Sequence, residues 1–335
     1  MATNGTTSVR GARRRISILV AAAALLVAAA PIGSAAAPDE VRTWTFHYAA
    51  HNEADRLASV LLPAWYGPGN NPPLPVIISP HGRNGTGLSN SKYFGNLPAV
   101  GGFAVISPDG MGRRLRLKSY AYRGQIDDLA AMPDLATKAL PWLRIDRSRV
   151  YALGSSMGGH ETLMLVARHP NLLAGAVAMD SVTDLARRYR QLPDVPCDAA
   201  CFKRWGRHYG LVLQDAMRRE VGGTPEQVRA TYSARSPISN ARRIAFSGVP
   251  LQIWWSVDDR IVTDQRHQSG TLFRTLRRLN GCAAVSAYVG HWPHSKEMRA
   301  EEFLPVALAG LGLLDRPAKQ LPGSVQTLSS PDCAA

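Results

Sequence analysis

The chain has 335 residues, 45% of them hydrophobic, and carries 39 basic against 25 acidic side chains for a formal net charge of +14. That apolar content is enough for a packed core and excludes a disordered chain. The basic residues are 33 arginines and six lysines, scattered and without a basic run interleaved with aromatics, a pattern of solvated surface rather than of a nucleic-acid binder.

In chain order, Arg10, Arg13, Arg14 and Arg15 precede an apolar run from Ile16 to Ala30, then Pro31 and Gly33-Ser34-Ala35-Ala36-Ala37. Charge, apolar core and small residues in that order read as a secretory signal peptide over residues 1–36. The run is shorter than the roughly 20 residues a membrane span needs. The expectations are cleavage after Ala36, a secreted or extracytoplasmic protein with no stable membrane span, and a single domain over 37–335. Oligomeric state is open.

Short β-like runs then alternate with helical segments, the signature of a mainly parallel sheet with crossover helices. Eight strands are expected, at Thr43–Tyr48, Leu57–Leu62, Val76–Ser79, Phe103–Ser107, Val150–Gly154, Leu173–Met179, Leu251–Ser256 and Val285–Val289. The later runs are almost continuously apolar, as in strands covered on both faces. Residues 181–248 break the rhythm and read as a helical insertion, either a lid or an elaboration of the scaffold. Within it, Phe202–Glu220 has helical spacing and Thr224 before Glu226 resembles a helix start.

The third strand runs into Pro80-His81-Gly82-Arg83-Asn84-Gly85, a loop able to offer a backbone N–H to an oxyanion; Arg83 is the preferred donor and Asn84 the alternative. His81 reads as a brace for that loop. The fifth strand leads into Gly154-Ser155-Ser156-Met157-Gly158-Gly159 and then a helical pattern ended by Pro170. This is G-x-S-x-G in its strand–turn–helix context, with Ser156 as nucleophile and Met157 as the first oxyanion N–H. A serine at 155 would need glycine where Leu153 stands.

A base and its orienting acid should follow at later strand ends. Leu251–Ser256 runs into Val257-Asp258-Asp259-Arg260-Ile261-Val262, where Asp259 is the preferred acid and Asp258 the register alternative. The last strand ends in Gly290-His291-Trp292-Pro293-His294; His294, just before a helical pattern reaching to Leu314, is the preferred base and His291 the alternative. Trp254, Trp255 and Trp292 stand near these loops as pocket walls or as core. No metal or cofactor is implied. The cysteines, Cys197, Cys201, Cys282 and Cys333, are even in number; without a zinc spacing they read as disulfides 197–201 and 282–333 in an exported protein.

His81-Gly82, Ile145–Tyr151 leading into Gly154–Gly159, and Ala234-Arg235-Ser236-Pro237 before the acid-bearing strand resemble the prolyl oligopeptidase-like and feruloyl-esterase-like branches of the α/β-hydrolase superfamily. The resemblance covers Leu57 to Leu314. It implies an α/β-hydrolase fold, helices on both faces of the sheet, and acyl transfer to water through an acyl-serine. There is no room for a β-propeller. The reading is therefore a carboxylic-ester hydrolase acting on a small or polymeric ester, with a peptidase or a non-catalytic binding protein on the same scaffold as alternatives.

Overall fold

The computed structural model describes residues 39–110, 119–316 and 320–329. The expected signal peptide and Cys333 lie outside them. Within this range the strands are β1 Val41–Ala49, β2 Asp55–Pro63, β3 Leu74–Ile78, β4 Ala104–Pro108, β5 Ile145–Ser155, β6 Gly175–Met179, β7 Leu251–Ser256, β8 Val285–Gly290 and β9 Gln326–Ser329. They form one sheet in the order β1-β2-β4-β3-β5-β6-β7-β8-β9. β4, β3, β5, β6, β7 and β8 are parallel, while β1, β2 and β9 pair antiparallel at the two edges.

Eight of the nine are the strands expected from β-like runs. The ninth escapes that signal because Gln326–Ser329 is exposed along its whole length and gains only ladder hydrogen bonds to β8.

β3, β4, β6 and β7 are buried at every residue. Their side chains alternate between two cores, as the period of two in a strand requires. Val76, Ile78, Ala104 and Ile106 pack on one face with Ile126, Leu129 and Leu163 from the helices Arg123–Ala139 and Met157–Arg168. Ile77, Val105, Leu153 and Val177 pack on the other with Trp254, Leu304 and Leu308. Trp254 and Trp255 belong to these cores, with Trp254 stacked on Tyr288 at 3.9 Å.

The insertion is helical, and it has a core of its own. Leu192, Leu213, Met217, Val221 and Tyr232 cluster with Val182 and Val262, at the carboxyl ends of β6 and β7. Leu213, Met217 and Val221 recur every fourth residue, one stripe of the helix Tyr209–Val221. The helix expected across 202–220 is two helices, Ala199–Trp205 and Tyr209–Val221. Gly206, at φ +71°, takes the left-handed conformation that ends the first. Thr224 begins only a turn, in which Thr224 N donates to Gln227 Oε1 at 2.9 Å and Val228 N to Thr224 O at 3.0 Å; the extended φ of −130° at Val228 separates it from the helix Arg229–Ala234. Nor is the segment after His294 one helix: it is a 3₁₀ turn, Lys296–Met298, and a short helix, Leu304–Ala309.

Cys197 and Cys201 are disulfide-bonded. Cys282 is also disulfide-bonded, and the 282–333 pairing ends on a residue outside the described ones. Among the described residues no helix is long and apolar enough to cross a membrane.

Candidate active site

β5 delivers Ser156 into a turn with φ +59° and ψ −121°, a conformation that costs a non-glycine residue about 1–3 kcal/mol. The turn is held from both sides: Ser156 N donates to Met179 O at 2.9 Å and His160 N to Ser156 O at 3.0 Å. Its neighbours have no space for a side chain. A Cβ on Gly154 would stand 2.6 Å from the Gly158 backbone, one on Gly158 2.2 Å from Pro80 O, and one on Gly159 2.2 Å from Ser181 Oγ. The three glycines are thus required by strand–helix crossing, not by flexibility.

The parallel register of β7 and β8 sets Ser256 beside Gly290, so the loops leaving both strands emerge together. Ser256 Oγ then accepts from Asp258 N at 3.0 Å and Trp292 N at 2.9 Å, binding one loop to the other. This brings the four candidate residues into two pairs. His294 Nδ1 meets Asp259 Oδ2 at 2.8 Å, and His291 Nδ1 meets Asp258 Oδ2 at 3.0 Å. Asp259 is further fixed by Ile261 N at 2.8 Å, Val262 N at 2.9 Å and Gln265 Nε2 at 3.2 Å. The acceptor role of the carboxylate makes Nδ1 the protonated nitrogen and leaves Nε2 of His294 a free base.

Two clefts share Ser156, His294 and Arg83. One, of about 240 Å³, also exposes Met157; the other, of about 260 Å³, also exposes Gly82 and Ser155. Asn84 is exposed, at φ +63°, in the turn closed by Gly85 N donating to Gly82 O at 3.0 Å. His81 Nε2 accepts from Gly110 N at 2.8 Å while its Nδ1 lies 2.7 Å from Gly82 O, so it braces the loop. The Arg83 guanidinium is turned to the insertion. It forms a two-pronged pair with Glu220 at the end of the helix Tyr209–Val221 and lies 5.1 Å over the Tyr120 ring.

A model of the Prolyl oligopeptidase family matches residues 98–208, which include Ser156 and its helix. Among solved structures, Pyrococcus horikoshii acylaminoacyl peptidase superposes with a TM-score of 0.59 at 15% identity, over 84% of this chain and 43% of that one. Puromycin hydrolase gives 0.54 at 17% identity, over 82% and 39%. Porphyromonas gingivalis dipeptidyl peptidase 4 gives 0.50 at 18%, over 76% and 32%. This chain thus spans less than half the length of each. No curated protein matches it in sequence. The chain has the α/β-hydrolase fold.

Behind the His294–Asp259 pair the chain buries two more carboxyl groups. Asp180, at the end of β6, accepts from Ser256 N at 2.9 Å, Ser295 N at 3.1 Å and Trp292 Nε1 at 3.3 Å, and lies 4.0 Å from His294 Nδ1. Burial, with the charge of Asp259 adding to it, pushes Asp180 up to about 6. Burial also pushes Glu297 well above the usual carboxylate range, and Asp180 beside it pushes the same way. Burial would lower the basicity of His294, but the hydrogen bond and charge of Asp259, helped by Asp180, outweigh it and leave the imidazole more basic than usual.

Among the described residues, Asp180, Asp259 and His294 offer one ligand atom each within 4.8 Å of one another. Their carboxylate oxygens already accept from N–H groups aimed at them. The His294 nitrogen nearest both carboxylates is the protonated Nδ1, which has no lone pair to give, so the cluster suits proton handling better than a metal.

Sequence reasoning passed over Asp180, Glu297 and Arg188. An acid directly after the apolar run ending at Met179 was a usable signal for the first. Nothing local distinguishes Glu297 among the surface acids or Arg188 among 33 arginines.

Proposed function

We propose that this chain of α/β-hydrolase fold is a serine hydrolase that works through an acyl-enzyme on Ser156. The observation that carries the reading is that the strained Ser156 and His294 line the same two clefts, with the buried Asp259 bonded to His294 Nδ1 behind them. His294 Nε2 takes the Ser156 proton as Oγ attacks the acyl carbon, and Asp259 holds the ring and stabilises the imidazolium. The backbone N–H groups of Met157 and Arg83 receive the oxyanion of the tetrahedral intermediate. His294 then protonates the leaving group, and water repeats the cycle to release the acid. All the groups required are side chains and amides of the chain.

For the bond cleaved, the matched family is an oligopeptidase family and two of the three named neighbours are peptidases, which favours an amide over the ester expected from the sequence. Ester hydrolysis is kept as the second reading because the chain covers less than half of each neighbour. Ser156→Ala should abolish fluorophosphonate labelling and lower turnover by about 10⁶-fold, as loss of a catalytic serine does elsewhere. Ser155→Ala should still label. A probe found on Ser155, or no labelling of the unaltered protein, would overturn the mechanism. Aminoacyl-anilides run beside p-nitrophenyl esters decide the bond: anilide turnover selects the peptidase, and ester turnover alone the esterase.

Export is part of the same proposal, supported by the order of residues 10–37. The protein recovered from culture medium should begin at Ala37; an N-terminus retaining Arg13 would refute the cleavage.

A further inference from the structure

The first helix of the insertion, Leu185–Gln191, carries three arginines within four residues. Arg187 Nη2 reaches Asp264 Oδ2 at 2.6 Å and Arg190 Nη1 reaches Glu226 Oε1 at 3.6 Å. Arg188 turns the other way and is 4% exposed. Its Nη1 is buried without a hydrogen-bond partner, and among the described residues no carboxylate forms an ion pair with it. It lines the cleft of about 240 Å³ together with Ser156, Met157 and His294.

The charges of that cleft do not balance. Arg83 is neutralised by Glu220. Asp259 is occupied by His294 and by three further donors. Tyr120, Asp259 and Tyr209 are the groups whose charge acts on Arg188, and the two tyrosines are neutral near pH 7. A guanidinium stays protonated when buried, so one positive charge faces the cleft without an anion of its own. Such a charge is costly in a folded protein. A carboxylate answers it, because its two oxygens match the guanidinium fork and both charges are cancelled. A neutral carbonyl accepts the hydrogen bond but leaves the charge. Arg188 also makes His294 less basic, so an anion seated on it would favour the imidazolium that forms during acyl transfer.

We infer that Arg188 is the docking point for a carboxylate on the substrate, so that this enzyme acts on small acyl compounds bearing an acid group near the scissile bond. The inference rests on Ser156 and His294 being the reacting groups. A volume of about 240 Å³ equals roughly eight waters at ~30 Å³ each, which suits a short dicarboxylic half-ester or half-amide.

The test uses two pairs of activated esters, which acylate a serine whichever bond is native. One pair is p-nitrophenyl hydrogen glutarate against p-nitrophenyl pentanoate; the other is 4-acetoxybenzoate against methyl 4-acetoxybenzoate. The unaltered enzyme should favour the acid in one pair by on the order of 10- to 100-fold in kcat/KM, the range of one charge-assisted contact. Arg188→Met should bring that ratio near one, and Arg188→Lys should restore part of it. The ratio cancels any general loss of activity, and the preference of the unaltered enzyme needs no variant to fold.

Glutarate binding to Ser156→Ala by calorimetry reads the site without turnover and should vanish in Ser156→Ala/Arg188→Met. Equal kcat/KM within both pairs, or glutarate binding that survives Arg188→Met, would overturn the inference. Failure of the fluorophosphonate to label Ser156 would instead overturn the catalytic reading, with glutarate binding still reporting on Arg188.

Discussion

Two histidine–aspartate pairs stand side by side at the carboxyl ends of β7 and β8, built from adjacent aspartates and from histidines three apart. Their hydrogen bonds are alike, 2.8 Å for His294–Asp259 and 3.0 Å for His291–Asp258. Their surroundings are not. The side chains of the first are 15% and 1% exposed, and those of the second 62% and 61%. In water an ion pair is screened and contributes little. Away from water the same pair alters the basicity of its imidazole and fixes its tautomer. Burial, not pairing, separates the proposed catalytic couple from the surface one.

The sharpest break of that comparison is removal of each base. His294→Ala should cost about 10⁶-fold in kcat, equal to loss of the nucleophile, while His291→Ala keeps activity within a few-fold; steady-state rates decide. The reverse order would move the base to the exposed pair.

Removal of each acid comes next. Asp259→Asn should lower kcat by about 10⁴-fold through the wrong imidazole tautomer, whereas Asp258→Asn should have little effect. Equal losses would mean that the two pairs act together.

The pH profile sharpens the difference in environment. A protonated His294 cannot accept the serine proton, so kcat/KM falls as pH falls through its pKa. Because Asp259 and Asp180 outweigh burial there, the midpoint should lie above the ordinary 6.5 of histidine. The ring signal of His294 followed by NMR in Ser156→Ala should show it, and Asp259→Asn should move it down.

The smallest effect concerns the acids that only the buried pair has behind it. Asp180 at about 6 and Glu297, also raised by burial, hold protons in the folded protein that an unfolded chain releases near pH 4. Stability should therefore fall as pH rises from about 4 through 6. Glu297→Gln removes one of the two groups and should make that decline shallower in urea melts. An unchanged slope would show that these carboxyls are ionised in the folded state.

Eight strands and the serine turn were legible because they are local. A buried parallel strand is a short apolar run, and the elbow needs glycines at set positions around Ser156. The strand Gln326–Ser329 was not, since four exposed residues carry too little apolar or aromatic pattern to betray it, unlike the nine-residue edge strand β1 with Trp44, Phe46 and Tyr48. The break at Gly206 and the unpropagated turn at Thr224 were missed because apolar spacing does not show where a helix stops; at Gly206 a left-handed glycine does so.

The residue types that chemistry requires, and their order along the chain, were settled by the sequence itself, since a strand end followed by serine, aspartate or histidine is a local pattern. Which aspartate met which histidine was decided by the tertiary structure. The register of β7 on β8 and the two hydrogen bonds of Ser256 turn one pair inward and the other to solvent. The same holds for Arg188. Three arginines in one turn of helix are chemically equivalent until the helix docks, and only docking leaves one of them in the cleft without a counter-charge.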